Sequence, residues 1–214
     1  MKFKKEALIT GLIMLFAIAT FCFSGNFLHI FLIWNMFLAI IPFCLLKMER
    51  KASNKALKTL AILMWIFFLP NTFYTVTDLI HIQNLEFYFY ENPYANATYL
   101  EDIAMWMEII DLFLVSTFGF FSGLINIDKF IKRFEKTWQK IACIAILSVL
   151  SGIAIYIGRF LRFNSWDVLN PFRLIKGVFD ALNGFYIQYI ILFSTFIFVS
   201  CMIFSMAKNI SDKE

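Results

Sequence analysis

The chain has 214 residues, of which 61% are hydrophobic and only 16% charged, with a formal net charge of +4. That is more apolar surface than one soluble core of ordinary composition can bury, so a soluble globular class is excluded and a membrane protein is expected. The basic residues stand in short segments between apolar runs, where lipid headgroups and topology account for them and nucleic acid does not.

Apolar runs near the length of about 20 residues needed to cross the hydrocarbon layer recur along nearly the whole chain. They predict an all-α, polytopic transmembrane helical bundle of about six spans in a single domain, 1–214. The spans are expected near 7–24, 27–46, 57–70, 103–126, 141–158 and 185–206. The first run follows Lys2, Lys4 and Lys5 as a signal peptide would. It lacks a small-x-small cleavage site and is followed by further spans, so it is read as the first membrane helix.

Orientation follows from Lys and Arg in the short connections. The N-terminus, the segment from Lys47 to Lys58 and the segment from Lys129 to Lys140 are basic and are expected in the cytoplasm, with both termini cytoplasmic in a cell membrane. The connection near 71–102 has no Lys or Arg and carries Asp78, Glu86, Glu91, Glu101 and Asp102, so it is expected outside. The connection near 159–184 must then also lie outside, although it holds Arg159, Arg162, Arg173 and Lys176. Within it, Asn170, Pro171 and Gly184 punctuate a short amphipathic helix, expected to be an extracytoplasmic interfacial helix.

Four cysteines, Cys22, Cys44, Cys143 and Cys201, all fall inside apolar runs without paired or His-flanked spacing. They read as packing residues, and the sequence names no metal and no cofactor. Gly119 and Gly123 form a GxxxG pair in the fourth span, which permits close helix approach within the bundle.

The polar residues need separate reasons. Pro70 disfavours helical geometry at Leu69, so the third span is expected to end or kink there. Thr75 followed by Asp78 matches a capping box, a wholly structural role for the acid. The chemical reading pairs Asp78 with His81, three residues apart, as candidate catalytic acid–base residues. Glu108 and Asp111 also share a helical face inside an apolar run and need partners or water. Arg159 and Arg162 lie at the same membrane level, so opposite charges are expected to converge there. The result is either an ion-pair network or a pocket in which two guanidinium groups bind an anionic headgroup.

The motifs LPNTFYTVTDLIHI at 69–82 and GRFLRFNSWDVLNP at 158–171 resemble those of an uncharacterised bacterial integral-membrane family catalogued as domain of unknown function 1361. The resemblance begins near Trp34-Asn35-Met36 and runs into the last span. It implies no known reaction, but adds Asn71, Tyr74, Thr77, Asn164, Trp166 and Asp167 to a supporting polar cluster with Glu108 and Asp111. Phe73 stands where the family usually has a proline, and Ile109-Ile110-Asp111 keeps only the acid of the usual Trp-Tyr-Asp. The partners expected are the lipid bilayer and an anionic lipid or lipid-linked headgroup, bound or modified at the outer face. A transporter or channel component, and a structural or assembly partner of another membrane protein, are the alternatives.

Overall fold

The computed structural model describes residues 2–162, 171–180 and 183–211. Its helices are α1 (Lys2–Ser24), α2 (Leu28–Lys51), α3 (Lys55–Phe68), α4 (Pro70–Tyr74), a 3-10 helix (Thr75–Asn84), α5 (Ile103–Ile131), α6 (Thr137–Phe160), α7 (Pro171–Asp180) and α8 (Gly184–Ser211). Among the described residues five stretches are long and apolar enough to cross a membrane: α2, the path from Lys55 to Asn84, α5, α6 and α8. A sixth, α1, is apolar from Leu8 to Ser24. The chain is an all-α multi-pass membrane bundle.

Two helix starts follow from side-chain caps. Asn54 accepts from the Ala56 backbone N–H and Asp102 from that of Ala104, each at 2.8 Å, satisfying amide groups that a first turn leaves open. The α7 helix forms where the Asn-Pro punctuation places one, and Phe172 and Phe179 on it are exposed.

The α3 helix ends at Phe68 and a short helix, α4, starts at Pro70, so the interruption expected there is present. Leu69 keeps right-handed helical angles, φ −54° and ψ −42°, and the chain passes through α4 into the 3-10 helix. Side chains add donors to the backbone carbonyls along this stretch. Asn71 Nδ2 donates to the Phe68 carbonyl at 3.1 Å, Thr72 Oγ1 to that of Leu69 at 2.7 Å, Thr75 Oγ1 to that of Thr72 at 2.9 Å, and Thr77 Oγ1 to that of Tyr74 at 2.6 Å. All four reach three residues back, the spacing of a 3-10 turn. In an apolar layer this is what allows the polar motif to remain helical and packed. The connection expected over 71–102 is correspondingly shorter. It runs from Leu85 to Asp102 and contains a two-residue antiparallel ladder, Tyr88–Phe89 with Thr98–Tyr99.

The motif is seated on α5. A Cβ added at Gly119 would lie 2.7 Å from the Thr72 carbonyl oxygen and on the Thr75 side chain. One added at Gly123 would lie 2.5 Å from both Thr72 Oγ1 and the Phe73 ring. The GxxxG pair is therefore spent inside the bundle, where the α4 backbone occupies the room that two side chains would need. Ser116 Oγ, one turn earlier, donates to the Thr75 carbonyl at 2.8 Å.

Below this contact lies the main core, with Trp65, Leu69, Phe73, Leu124, Ile127, Ile144, Leu147, Ile155 and Ile197. Asn126, fully buried, accepts from Trp65 Nε1 at 3.2 Å and donates to the Ser122 carbonyl at 2.9 Å. A smaller cluster of Ile13, Leu32, Met36, Leu112 and Val115 joins α1, α2 and α5.

Contacts along α2 and α5 set the polarity of the bundle. His29 meets Asp111 near the starts of these helices, Ser122 Oγ bonds the Ala39 carbonyl midway, and Glu49 pairs with Arg133 at their far ends. The two helices run parallel, and Lys208 of α8 joins the far end by its 2.6 Å pair with Asp128. That end carries Lys47, Arg50 and Lys51 of α2 and Lys129, Lys132 and Arg133 beside α5. The polar motif residues lie at the other end.

Candidate functional site

The centre of the polar end is Asp78. Its side chain is completely buried, and both carboxylate oxygens are engaged: Arg159 Nη2 donates to Oδ1 at 3.0 Å and Asn35 Nδ2 to Oδ2 at 2.7 Å. Three helical elements are thereby tied together, α2 by Asn35, the 3-10 helix by Asp78 and α6 by Arg159. The guanidinium is held twice more. Its Nε donates to Thr77 Oγ1 at 3.1 Å, and its Cζ sits 5.1 Å over the Tyr74 ring, a cation–π arrangement.

This geometry replaces the capping-box role for Asp78, because the carboxylate is consumed by side chains of other helices. It also separates Asp78 from His81. Both oxygens of the acid are occupied, and half-buried His81 has no hydrogen-bond partner among the described residues. Asn71 is likewise turned to its own backbone at Phe68 rather than to the cluster.

Glu108 and Asp111 do not join Arg159, contrary to the expected convergence of all these charges. They face α2, which runs beside α5, and form a second cluster there. Asp111 Oδ2 lies 2.6 Å from His29 Nδ1, and Glu108 Oε2 lies 3.6 Å from His29 Nε2. Asn26 Nδ2 donates to the same Glu108 oxygen at 3.0 Å. His29 and Asp111 are wholly buried, and His29 Nε2 and Asp111 Oδ1 are left without a hydrogen-bond partner. Burial of ionisable groups at this depth is affordable because each carboxylate has a donor and the two acids share one imidazole.

Arg159 is nearly but not fully enclosed, with 18% of its side chain exposed. Among the described residues its Nη1 has no hydrogen-bond partner. Arg162, exposed, follows just past the end of α6 and has no ion pair with a described residue. Its backbone is left-handed, φ 56°, in the position after a helix end where glycine is usual. An arginine there costs on the order of 1 kcal/mol that glycine would not. Asn164, Trp166 and Asp167 lie outside the described residues.

Three members of the two clusters, Asn26, His29 and Asn35, escape a reading of the sequence. His29 reads as an interfacial residue at a helix start, and Asn35 as part of a family motif without a role. The available signal was that a polar residue inside an apolar run must find a partner in another helix.

A family model described as protein of unknown function (DUF1361) matches residues 34–201. The match contains Asn35, Tyr74, Thr77, Asp78, Glu108, Asp111 and Arg159, whereas Asn26 and His29 precede it. No curated protein and no solved structure matches the chain.

Proposed function

The chain belongs to the DUF1361 family of proteins of unknown function, and we propose that it binds an anionic lipid or lipid-linked headgroup at the outer face of the cell membrane. In this reading both termini are cytoplasmic, the basic end of the bundle faces the cytoplasm and the Asp78–Arg159 end faces out. The observation that carries it is Arg159, fixed by Asp78, Thr77 and Tyr74 with part of its side chain still exposed. Pre-orientation lowers the entropy cost of binding, and a planar fork suits a phosphate or carboxylate.

Asp78 is then a positioning residue. Its role is to aim Arg159 and to neutralise it while the site is empty, and Arg162, which has no ion pair with a described residue, supplies a second positive charge. If the headgroup is modified as well as bound, His81, whose imidazole has no hydrogen-bond partner among the described residues, is the residue to move the proton. The left-handed backbone at Arg162 supports a role for its side chain, since folding alone would favour glycine there.

Arg162→Gly separates binding from folding. The variant should be more stable than the parent by up to about 1 kcal/mol, because the left-handed strain is removed and glycine's larger unfolded-state entropy offsets only part of the gain. It should also lose one anionic lipid adduct when the protein is released from membranes into native mass spectrometry. A variant that keeps the full complement of adducts would refute the role of Arg162.

A further inference from the structure

The connection from Leu85 to Asp102 carries a patterned surface at the polar end of the bundle. Its ladder pairs Tyr88 with Tyr99 and Phe89 with Thr98, and the Leu100 N–H donates to the Phe87 carbonyl at 2.9 Å. Side chains alternate between the two faces of such a ladder. Phe87, Phe89, Thr98 and Leu100 therefore share one face, and Tyr88, Tyr90 and Tyr99 share the other. On the second face the Tyr88 ring lies 5.7 Å from that of Tyr90 and 5.8 Å from that of Tyr99. One face is mainly apolar, and every ring on the other ends in a hydroxyl.

A two-stranded ladder is marginal in water, and here Tyr88, Phe89, Tyr90 and Tyr99 are all exposed. The hairpin meets the bundle through Phe87, whose ring lies 5.3 Å from that of Trp106. Trp106 is exposed near the start of α5, in one row with the exposed Ile103 and Ile110, and in a membrane bundle such a row faces lipid. The exposed, charged Asp102 caps that helix and marks its boundary with water. Trp106 is four residues further in, about 6 Å of helix at ~1.5 Å per residue. Phe87, beside it, thus stands on the lipid side of the boundary. The ladder cannot go much deeper, because both of its strands are edges whose open N–H and C=O groups hydrocarbon would leave unsatisfied. The headgroup layer suits both constraints, and it is where rings with one apolar and one wet end concentrate.

We propose that the hairpin from Phe87 to Leu100 is a membrane-interface anchor, lying along the headgroup layer with Phe87 and Phe89 toward the acyl chains and Tyr88, Tyr90 and Tyr99 toward the headgroups. Attraction to anionic lipid plays no part in it. The chain has no Lys or Arg between Lys58 and Lys129, and the exposed Glu86, Glu91 and Glu101 flank the rings. The anchor is independent of anion binding at Arg159.

Three single substitutions test it in the full chain, each reconstituted as one copy per nanodisc of phosphatidylcholine: Phe89→Trp, Tyr99→Trp and, as a control in the exposed turn at the basic end, Ser53→Trp. The first two exchange one exposed ring for another, and all three sites are exposed. The emission each adds to the parent's is quenched with phosphatidylcholine brominated on its acyl chains and, separately, with aqueous iodide. Phe89→Trp loses most of its added emission to the brominated lipid and Tyr99→Trp loses less, while both resist the iodide that quenches Ser53→Trp. Iodide quenching of both hairpin tryptophans as strong as that of Ser53→Trp places the hairpin in water and overturns the anchor. Protection from both quenchers also overturns it, by placing protein over the rings. Lipid quenching of Tyr99→Trp equal to or stronger than that of Phe89→Trp overturns the orientation.

Discussion

Replacing Asp78 by alanine should destabilise the protein by about 3–5 kcal/mol, because it strands a guanidinium that is mostly withdrawn from water. Asp78 is completely buried and Arg159 is 18% exposed, and the carboxylate also accepts from Asn35. The contrast is with Arg133–Glu49 at the basic end, where both partners are more accessible, 30% and 14%. Glu49→Ala should cost no more than about 1 kcal/mol. Chemical unfolding in a neutral detergent, followed by helical circular dichroism, measures both. Asp78→Ala/Arg159→Ala should be more stable than the sum of the single losses predicts, since removing both charges leaves neither stranded. Additive losses would mean that the two residues do not act as a pair.

The second large effect is expected at Gly119. Its added Cβ meets the Thr72 carbonyl, a backbone atom that cannot rotate away, so α5 and α4 must move apart. Gly119→Ala should cost about 1–3 kcal/mol, the usual penalty of overpacking a filled interface, and Gly119→Val more. Gly11→Ala is the internal control. Nothing lies within 4 Å of its new Cβ, and its stability should stay within about 0.5 kcal/mol of the parent. The same unfolding experiment decides it. Equal effects at Gly11 and Gly119 would remove the claim that the GxxxG pair receives the polar motif.

Much of the bundle is legible in the sequence because a membrane span is a length argument. Six apolar runs became six apolar helical stretches among the described residues, and Pro171 marked a helix start that the structure contains. Pro70 marks the interruption between α3 and α4, but the rule for the residue before proline is local and misses the helical angles of Leu69. Leu69 stays helical when Asn71, Thr72 and Thr75 satisfy the carbonyls behind them, and the room for that turn comes from Gly119 and Gly123 fifty residues away.

The site divides along the same line. Depth is readable from position in a span, so the level shared by Asp78 and Arg159 is visible in advance. Which helices face one another is not. The side chains of Glu108 and Asp111 meet His29 because α2 lies beside α5, and periodicity alone assigns no neighbour to an acidic face. Asn35 is hidden for the same reason, as its partner Asp78 is 43 residues away.

The most direct test of the account is the affinity of the polar end for a short-chain phosphatidylglycerol, measured by titration calorimetry in neutral detergent with Arg159→Lys against the parent arginine. Lysine keeps the charge opposite Asp78 but loses the fork that Thr77 and Tyr74 orient. We predict a folded Arg159→Lys protein whose affinity falls at least about tenfold, the loss of one charge-assisted hydrogen bond. Equal affinity in the two proteins, or no binding to the arginine form, would contradict the account and leave Asp78–Arg159 as a clasp between helices.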